Sequence, residues 1–270
     1  MLRNLSIGVV AIFLPALAVA DAPPQRGSGK IDWANRVIIA KGSGAPNLKA
    51  PNVAVARLQA ERAAKLDALR NILETLKGVR IQGKVTVKDK MTDNQDLTSK
   101  VEGICRGFET VKIQYYSDGG VDVTVKMSLD GELAEALLPA GKGGEGVKSG
   151  GDKKHTGLII DVTGMGYQPL LVPSVTDEAG AALYGLDFVT SEAIQKRGFA
   201  AFIDTLEEAK QSPRVGATPL VVRAAKISEK GEIILGEKDA ELLRDSNADL
   251  SYLKAGQVVI VVGTDSPSSR

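Results

Sequence analysis

Side chains able to do chemistry are sparse in this sequence. Among its 270 residues it has one histidine, His155, and one cysteine, Cys105. Histidine is the usual general base near neutral pH and the usual transition-metal ligand, yet here its single copy lies in a glycine-rich stretch. A Cys/His zinc cluster cannot be assembled from one residue of each type. A serine nucleophile served by a histidine needs a Gly-x-Ser-x-Gly elbow, and Gly42-Ser43-Gly44 falls one residue short on each side. Cys105 can form no intramolecular disulfide, and pairing it with His155 requires bridging two domains, so its thiol reads as core filler. Carboxylates are plentiful and a catalytic pair stays open. The adjacent runs Asp177-Glu178 and Glu207-Glu208 read instead as a turn and a solvated face. Asp89, Asp93 and Asp96 lack the alternation and central glycine of a calcium loop. The expectation is no catalytic set, no cofactor and no metal. Trp33, Tyr115 and Tyr116 are the candidates for a stacking platform, with core or hairpin packing the favoured reading.

The elements that must position any site begin with one long helix. At 100° per residue, Val55, Leu58, Leu66, Leu69, Ile72, Leu73 and Leu76 fall in one arc that is expected to face a core. Ala56, Ala60, Ala63, Ala64 and Ala68 make up most of the opposite side and favour helix without requiring a neighbour. Pro51 and Asn52 mark the start, and Lys77 and Gly78 the stop. Arg62 and Lys65 fall inside the apolar arc. Their stems can cover apolar surface while their charges reach water, Asp67 or Glu61; the functional alternative is a cationic contact for a partner.

Around this helix the pattern places a strand at Trp33 to Ala40, a turn at Gly42 to Pro46 and a strand at Val79 to Val87 with a possible bulge at Gly83. A short helix or loop over Asp93 to Cys105 follows, then a hairpin with strands on either side of Ser117-Asp118-Gly119-Gly120, and a short helix at Glu132 to Leu138. Residues 140–155 are dense in glycine and read as a flexible linker. A phosphate-cradling loop is the alternative there, disfavoured because Gly-x-x-x-x-Gly-Lys-Ser/Thr is absent and no helix pattern follows the glycines. Beyond it come a buried strand at Leu158 to Val162, a second at Leu170 to Val172 and a helix over Ser191 to Lys210 with Gly198 a soft spot inside it. Strands at Leu220 to Ala224 and Val258 to Val262 and a helix at Asp239 to Leu243 complete the pattern. The expected class is α+β, with two small domains of helix and sheet layers, the first a mainly antiparallel sheet covered by one long helix.

Arg3, the apolar run Leu5 to Leu14 and Ala18-Val19-Ala20 read as a secretory signal peptide over residues 1–20, expected to be cleaved after Ala20, the alternative of a retained anchor being weakened by the short apolar run and by Pro15. Roughly 250 residues remain, enough to bury a core without disulfide staples. They divide into a polar segment 21–30, domains at 31–139 and 156–263 around the linker 140–155, and a tail 264–270. The net charge is +1 and aromatic residues make up 4%, a balance that argues against nucleic-acid partners. No later segment approaches the roughly 20 apolar residues of a membrane span.

Arg62-Ala63-Ala64, Asp67-Ala68, Arg70-Asn71 and Leu73-Glu74 before Gly78-Val79 resemble the Lpp20-type family of bacterial envelope proteins. They are also similar to the amino-terminal domain of flagellar assembly protein T. Gly103 to Gly107 and the Asp118-Gly119-Gly120-Val121 hairpin add to the likeness. In the second half, Thr156 to Asp161, Tyr184-Gly185, Gly198, Pro219 to Val222 and Val258 to Val262 resemble large Gram-negative envelope proteins without an assigned activity. Lpp20-type proteins are typically lipoproteins, whereas no cysteine stands at this leader's boundary, so the resemblance implies the envelope without a lipid anchor. It carries over no catalytic residue. The sequence is thus expected to be a non-enzymatic periplasmic structural or interaction module with flagellar basal-body or outer-membrane partners. Arg62, Asp67, Arg70 and Asn71 are its candidate interaction or structural cluster. The alternatives are an envelope hydrolase with a carboxylate pair between the domains, and a small-ligand or glycan-binding module.

Overall fold

The computed structural model describes residues 29–263 apart from 142, 145, 146, 148 and 246. The expected leader, most of the polar segment 21–30 and the tail 264–270 lie outside the described residues. The chain is α+β. In the first domain the elements run β1 (Gly29–Asp32), β2 (Val37–Gly44), α1 (Val53–Lys77), β3 (Arg80–Gln82), β4 (Val85–Thr86), α2 (Val87–Asp93), α3 (Gln95–Cys105), β5 (Glu109–Tyr115), β6 (Val121–Ser128) and α4 (Glu132–Leu137). The main sheet has the order β1-β2-β6-β5 and is antiparallel throughout. The Asn52 side chain caps α1 by accepting from Val55 N at 2.9 Å, satisfying an amide that has no partner inside the helix.

The buried face of α1 differs from the expected one. Ala60, Ala64 and Ala68 are fully buried, whereas Leu58 is 56% and Leu66 65% exposed. The reason lies in the strand beneath. A Cβ added to Gly42 would lie 2.2 Å from both Ala64 O and Ala68 N, and one added to Gly44 would lie 2.0 Å from Ala60 O. Helix and strand backbones therefore touch, and the small alanine side chains allow that contact from the helix side. Amphipathicity predicts which residues are apolar; the glycines decide which apolar stripe wins. The leucine arc is covered only along its C-terminal half, where Leu69, Ile72, Leu73 and Leu76 join the core that holds Val87, Met91, Val101 and Cys105 of α2 and α3.

Three local expectations also change. The segment expected as one strand from Trp33 to Ala40 is a hairpin, and Gly42 to Gly44 extends β2 instead of turning. The strand expected over Val79 to Val87 is the two-stranded hairpin β3–β4, which feeds directly into α2 through a capping box of Thr86 and Asp89. Leu170 to Val172 forms no regular strand; Leu171 N and Val172 N donate to Arg80 O and Ile81 O in the first domain.

The second domain contains β7 (Lys153–Lys154), β8 (Leu158–Asp161), β9 (Val175–Asp177), β10 (Ala182–Tyr184), α5 (Ser191–Arg197), β11 (Ala201–Ile203), α6 (Leu206–Gln211), β12 (Leu220–Ile227), β13 (Ile233–Leu235), α7 (Glu237–Arg244), β14 (Ala248–Asp249), α8 (Ser251–Lys254) and β15 (Val258–Val261). Seven strands form one mixed sheet in the order β10-β9-β13-β12-β8-β15-β11, with β12, β8, β15 and β11 parallel. Its central strands read as unbroken apolar runs because both faces are covered. Ile159, Val259 and Val261 face a small core with Ala209 of α6, while Leu158, Ile160, Val258 and Ile260 face the main core.

The helix expected over Ser191 to Lys210 is two helices with a strand between them. Gly198, at φ 62°, ends α5, and a Cβ there would fall 2.1 Å from the Arg36 guanidinium. Phe199 and Phe202 are then buried as sheet residues. The linker expected at 140–155 is packed at its described residues. Val147 is buried, a Cβ on Gly151 would lie 2.3 Å from Asn247 O, and Lys153–Lys154 pairs with Ala248–Asp249. Its glycines permit close approach as much as flexibility.

One continuous core joins the two domains. Trp33 meets Phe202 edge-on at 5.4 Å. Arg36, held at φ 54°, is buried. Its Nε donates to Asp130 at 2.7 Å and its Nη1 to Ala200 O at 3.1 Å. Arg80 Nη1 crosses to Gln168 Oε1 at 2.8 Å.

The glycine contact leads to a stability test. Gly42→Ala is expected to destabilise the protein by about 1–3 kcal/mol or more through forced separation of α1 and β2. Leu66→Ala, despite its place in the leucine arc, should stay within about 0.5 kcal/mol. Denaturant unfolding of the two variants checks this, and the reverse order would show that the leucine face is the buried one.

Candidate functional site

Three of the four cluster residues on α1 are tied into their own domain. Asp67 Oδ2 accepts from Ser43 N at 3.1 Å, and Arg70 Nη1 reaches Asp67 Oδ1 at 3.4 Å. Asn71 is buried and its Nδ2 donates to Lys41 O at 2.7 Å, so it satisfies a carbonyl of β2 at the helix–sheet contact. Leaving that carbonyl unpaired would carry a desolvation cost. Asp67 and Asn71 are therefore architectural.

Arg62 differs. It is exposed and forms no hydrogen bond or ion pair among the described residues. The other charged side chains between Arg57 and Arg70 are engaged. Arg57 lies over the Tyr115 ring at 5.4 Å, Lys65 pairs with Glu61 at 2.7 Å, and Tyr115 Oη donates to Glu61 Oε2 at 2.9 Å. Those bonds from Lys65 and Tyr115 hold the Glu61 carboxyl below its ordinary pKa. Leu58 and Leu66 stand one turn before and one turn after Arg62, on the half of α1 that α2 and α3 leave uncovered. The result is an outward stripe of leucine, arginine and leucine.

The remaining candidate residues do not converge. Trp33 is in the core, whereas Tyr115 and Tyr116 are on the β5–β6 hairpin, each donating to a carboxylate. Asp89 caps α2, and Asp96 is in the first turn of α3. Asp177 forms a turn as expected, but is buried and paired with Arg244. Glu207 and Glu208 lie in the first turn of α6, where the helix dipole favours negative charge. Among the described residues no group of three or more His, Cys, Asp or Glu is placed to hold a metal ion. Cys105 is buried, and burial, with a smaller contribution from Glu102, pushes its thiol up to about 12. Native protein should therefore give no reaction with a disulfide reagent at pH 8, and one thiol per chain in guanidinium. Rapid labelling of the native form would contradict the core assignment.

A polar network that the sequence reading did not find centres on Asp122, on the sheet face away from α1. Its Oδ1 accepts from Ser43 Oγ at 2.7 Å and its Oδ2 from Tyr116 Oη at 2.6 Å, with Lys41 Nζ 2.7 Å from the same oxygen. The strand alternation carried the signal, since Lys41, Ser43 and Asp122 all point away from the valine face. Burial raises the Asp122 pKa, but the hydrogen bonds from Lys41, Tyr116 and Ser43 outweigh it and lower the value from 3.8 to about 2. A depressed carboxylate contributes stability that is fully present above the unfolded-state value and lost as pH falls through the folded one. The stability gap between wild type and Asp122→Asn should thus be constant above about pH 4 and narrow towards pH 2. Urea titrations across that window test it, and a pH-independent gap would remove the assignment.

Between the domains lies a cleft of about 430 Å³, lined on its apolar side by Ile81, Val85, Leu137, Leu170 and Val172. Its charged residues are Lys90, Lys230 and Glu232. Glu232 is the one carboxylate in this lining, and its Oε2 accepts from Ser228 Oγ at 3.1 Å. The facing carboxylates that a glycosidase-type mechanism requires are not brought together here.

Residues 157–265 match a protein-family model described as Treponema pallidum Tp0624, second domain. The second domain of this chain is thus similar to that domain, over less than half of the sequence. No curated protein matches the chain.

Proposed function

We propose that this chain is an exported, non-enzymatic envelope protein that binds other envelope components through the outer face of α1. The observation that carries the reading is Arg62, exposed without an intramolecular partner among the described residues, between two leucines that are 56% and 65% exposed. A stripe of this kind suits helix-on-helix docking, in which apolar residues supply area and one charge supplies orientation. Docking of a second copy antiparallel about Arg62 sets guanidinium against guanidinium, and like charges across an interface cost several kcal/mol. The complementary partner is a helix with an acidic residue between two apolar ones.

Location in the envelope rests on the leader pattern of residues 1–20 and on the resemblance of Arg62 to Asn71 to Lpp20-type proteins and flagellar assembly protein T. These support flagellar basal-body or outer-membrane components as the partners. No helix among the described residues is long and apolar enough to cross a membrane, so membrane association through a partner is the consistent arrangement.

A photoreactive amino acid placed at Leu66 in living cells tests this, with Glu178 on the second domain as the control position. A discrete adduct to one envelope protein is expected at Leu66 and not at Glu178. Arg62→Glu should weaken it at least about tenfold while shifting unfolding free energy by less than about 0.5 kcal/mol. An absent adduct, or one indifferent to Arg62→Glu, overturns the docking face.

A further inference from the structure

We propose that the interdomain cleft is a binding site for a small amphiphilic anion, an apolar body carrying one carboxylate head. The inference is independent of the docking face on α1. Five apolar side chains, Ile81, Val85, Leu137, Leu170 and Val172, form its floor and walls, and two lysines reach it from opposite domains. Lys90 comes from α2 and Lys230 from the turn between β12 and β13. Neither forms an ion pair or hydrogen bond among the described residues, whereas Glu232 is held by Ser228. The lining thus carries net positive charge above an apolar surface, which is the complement of an amphiphile with a negative head.

The site is built before any ligand arrives. Arg80 donates from Nε to Gly83 O at 3.0 Å and from Nη1 to Gln168 at 2.8 Å, fixing the β3–β4 hairpin on the second domain. Backbone bonds from Leu171 N to Arg80 O at 3.0 Å and from Val172 N to Ile81 O at 2.8 Å hold the opposite wall. The two rims meet where a Cβ on Gly83 would lie 3.7 Å from Lys230 O. A volume of 430 Å³ is at the low end of the roughly 300–1,000 Å³ of small-molecule sites. That size suits a single acyl chain or fused-ring body better than a two-chain lipid. A preformed site also avoids much of the ordering cost that weakens binding to mobile loops.

The test uses the full chain and dodecanoate, with methyl dodecanoate as the uncharged control, each displacing the fluorescent anion 1-anilinonaphthalene-8-sulfonate. Saturable one-to-one binding of the fluorophore is expected, with displacement by dodecanoate at concentrations at least about tenfold below those needed with the ester. Lys90→Gln combined with Lys230→Gln should weaken dodecanoate at least about tenfold and leave the ester within threefold. Val85→Glu, at a position 43% exposed and so tolerant of substitution, should abolish binding of both, with circular dichroism confirming that the variant is folded. Leu58→Asp on α1 should change nothing, which separates this site from the docking face. Non-saturable binding, equal displacement by acid and ester, or binding that survives Val85→Glu but is lost in Leu58→Asp overturns the proposal.

Discussion

Direct contact between the backbone of β2 and that of α1 is the constraint on which the first domain is organised. Gly42 and Gly44 leave no space for a side chain above the strand, and Ala60, Ala64 and Ala68 are small enough to meet them without pushing the helix away. Close approach brings the backbone of β2 within reach of Asn71 and Asp67, whose side chains then satisfy a strand carbonyl and a strand amide. It also fixes the rotation of α1 about its axis. Once the alanines face inward, the leucine arc is turned to the side. There α2 and α3 cover its C-terminal half and leave Leu58, Arg62 and Leu66 outside. The exposed stripe is thus a consequence of the glycines in β2.

The second organising feature is the continuity of the core between the domains. The β1–β2 hairpin carries Trp33 and Arg36 into the second domain, where the ring meets Phe202 and the guanidinium takes the space that Gly198 leaves open. Arg36 holds a left-handed backbone conformation that a side chain rarely adopts, and its bonds to Asp130 and Ala200 O offset that strain. A buried arginine with a carboxylate partner is weak evidence for added stability, because desolvation cancels much of the attraction. Its geometric effect is clearer: the bond from its Nη1 to Ala200 O ties the β1–β2 hairpin of the first domain to the second. That tie, with the bonds across Arg80, is also what shapes the cleft between Lys90 and Lys230.

The candidate site was only partly legible in advance. Arg62, Asp67, Arg70 and Asn71 stood out together by resemblance, yet they separate in space into one cation without a partner among the described residues and three residues serving the helix and sheet. Their 100° positions hold the distinction, because Arg62 falls among the leucines whereas Asp67 and Asn71 border the alanines. Reading it requires knowing which stripe is buried, and two apolar stripes compete on this helix. Hydrophobicity favours the leucines, but the depth of contact available at Gly42 and Gly44 favours the alanines. The Asp122 network and the two cleft lysines were hidden for a different reason. Strand alternation marks Lys41, Ser43 and Asp122 as outward-facing but does not join residues 79 positions apart, nor does any local pattern show that Lys90 and Lys230 reach one cleft from two domains.

By itself the sequence determined the fold class, the long capped helix, the β5–β6 hairpin and the apolar strands beginning at Leu158, Leu220 and Val258. Each of these follows from local periodicity, capping chemistry and runs of apolar residues within a few positions of one another. It also determined that only one histidine and one cysteine are present to build a site from. Only the tertiary structure decided which side of α1 faces water, that Gly198 separates two helices by making room for Arg36, and that Gly141, Gly144 and Gly151 of the expected linker pack against the second domain. In all three cases the deciding group is a backbone or side chain brought in from far along the chain. A glycine that yields space to such a group looks, in sequence, the same as a glycine that merely bends.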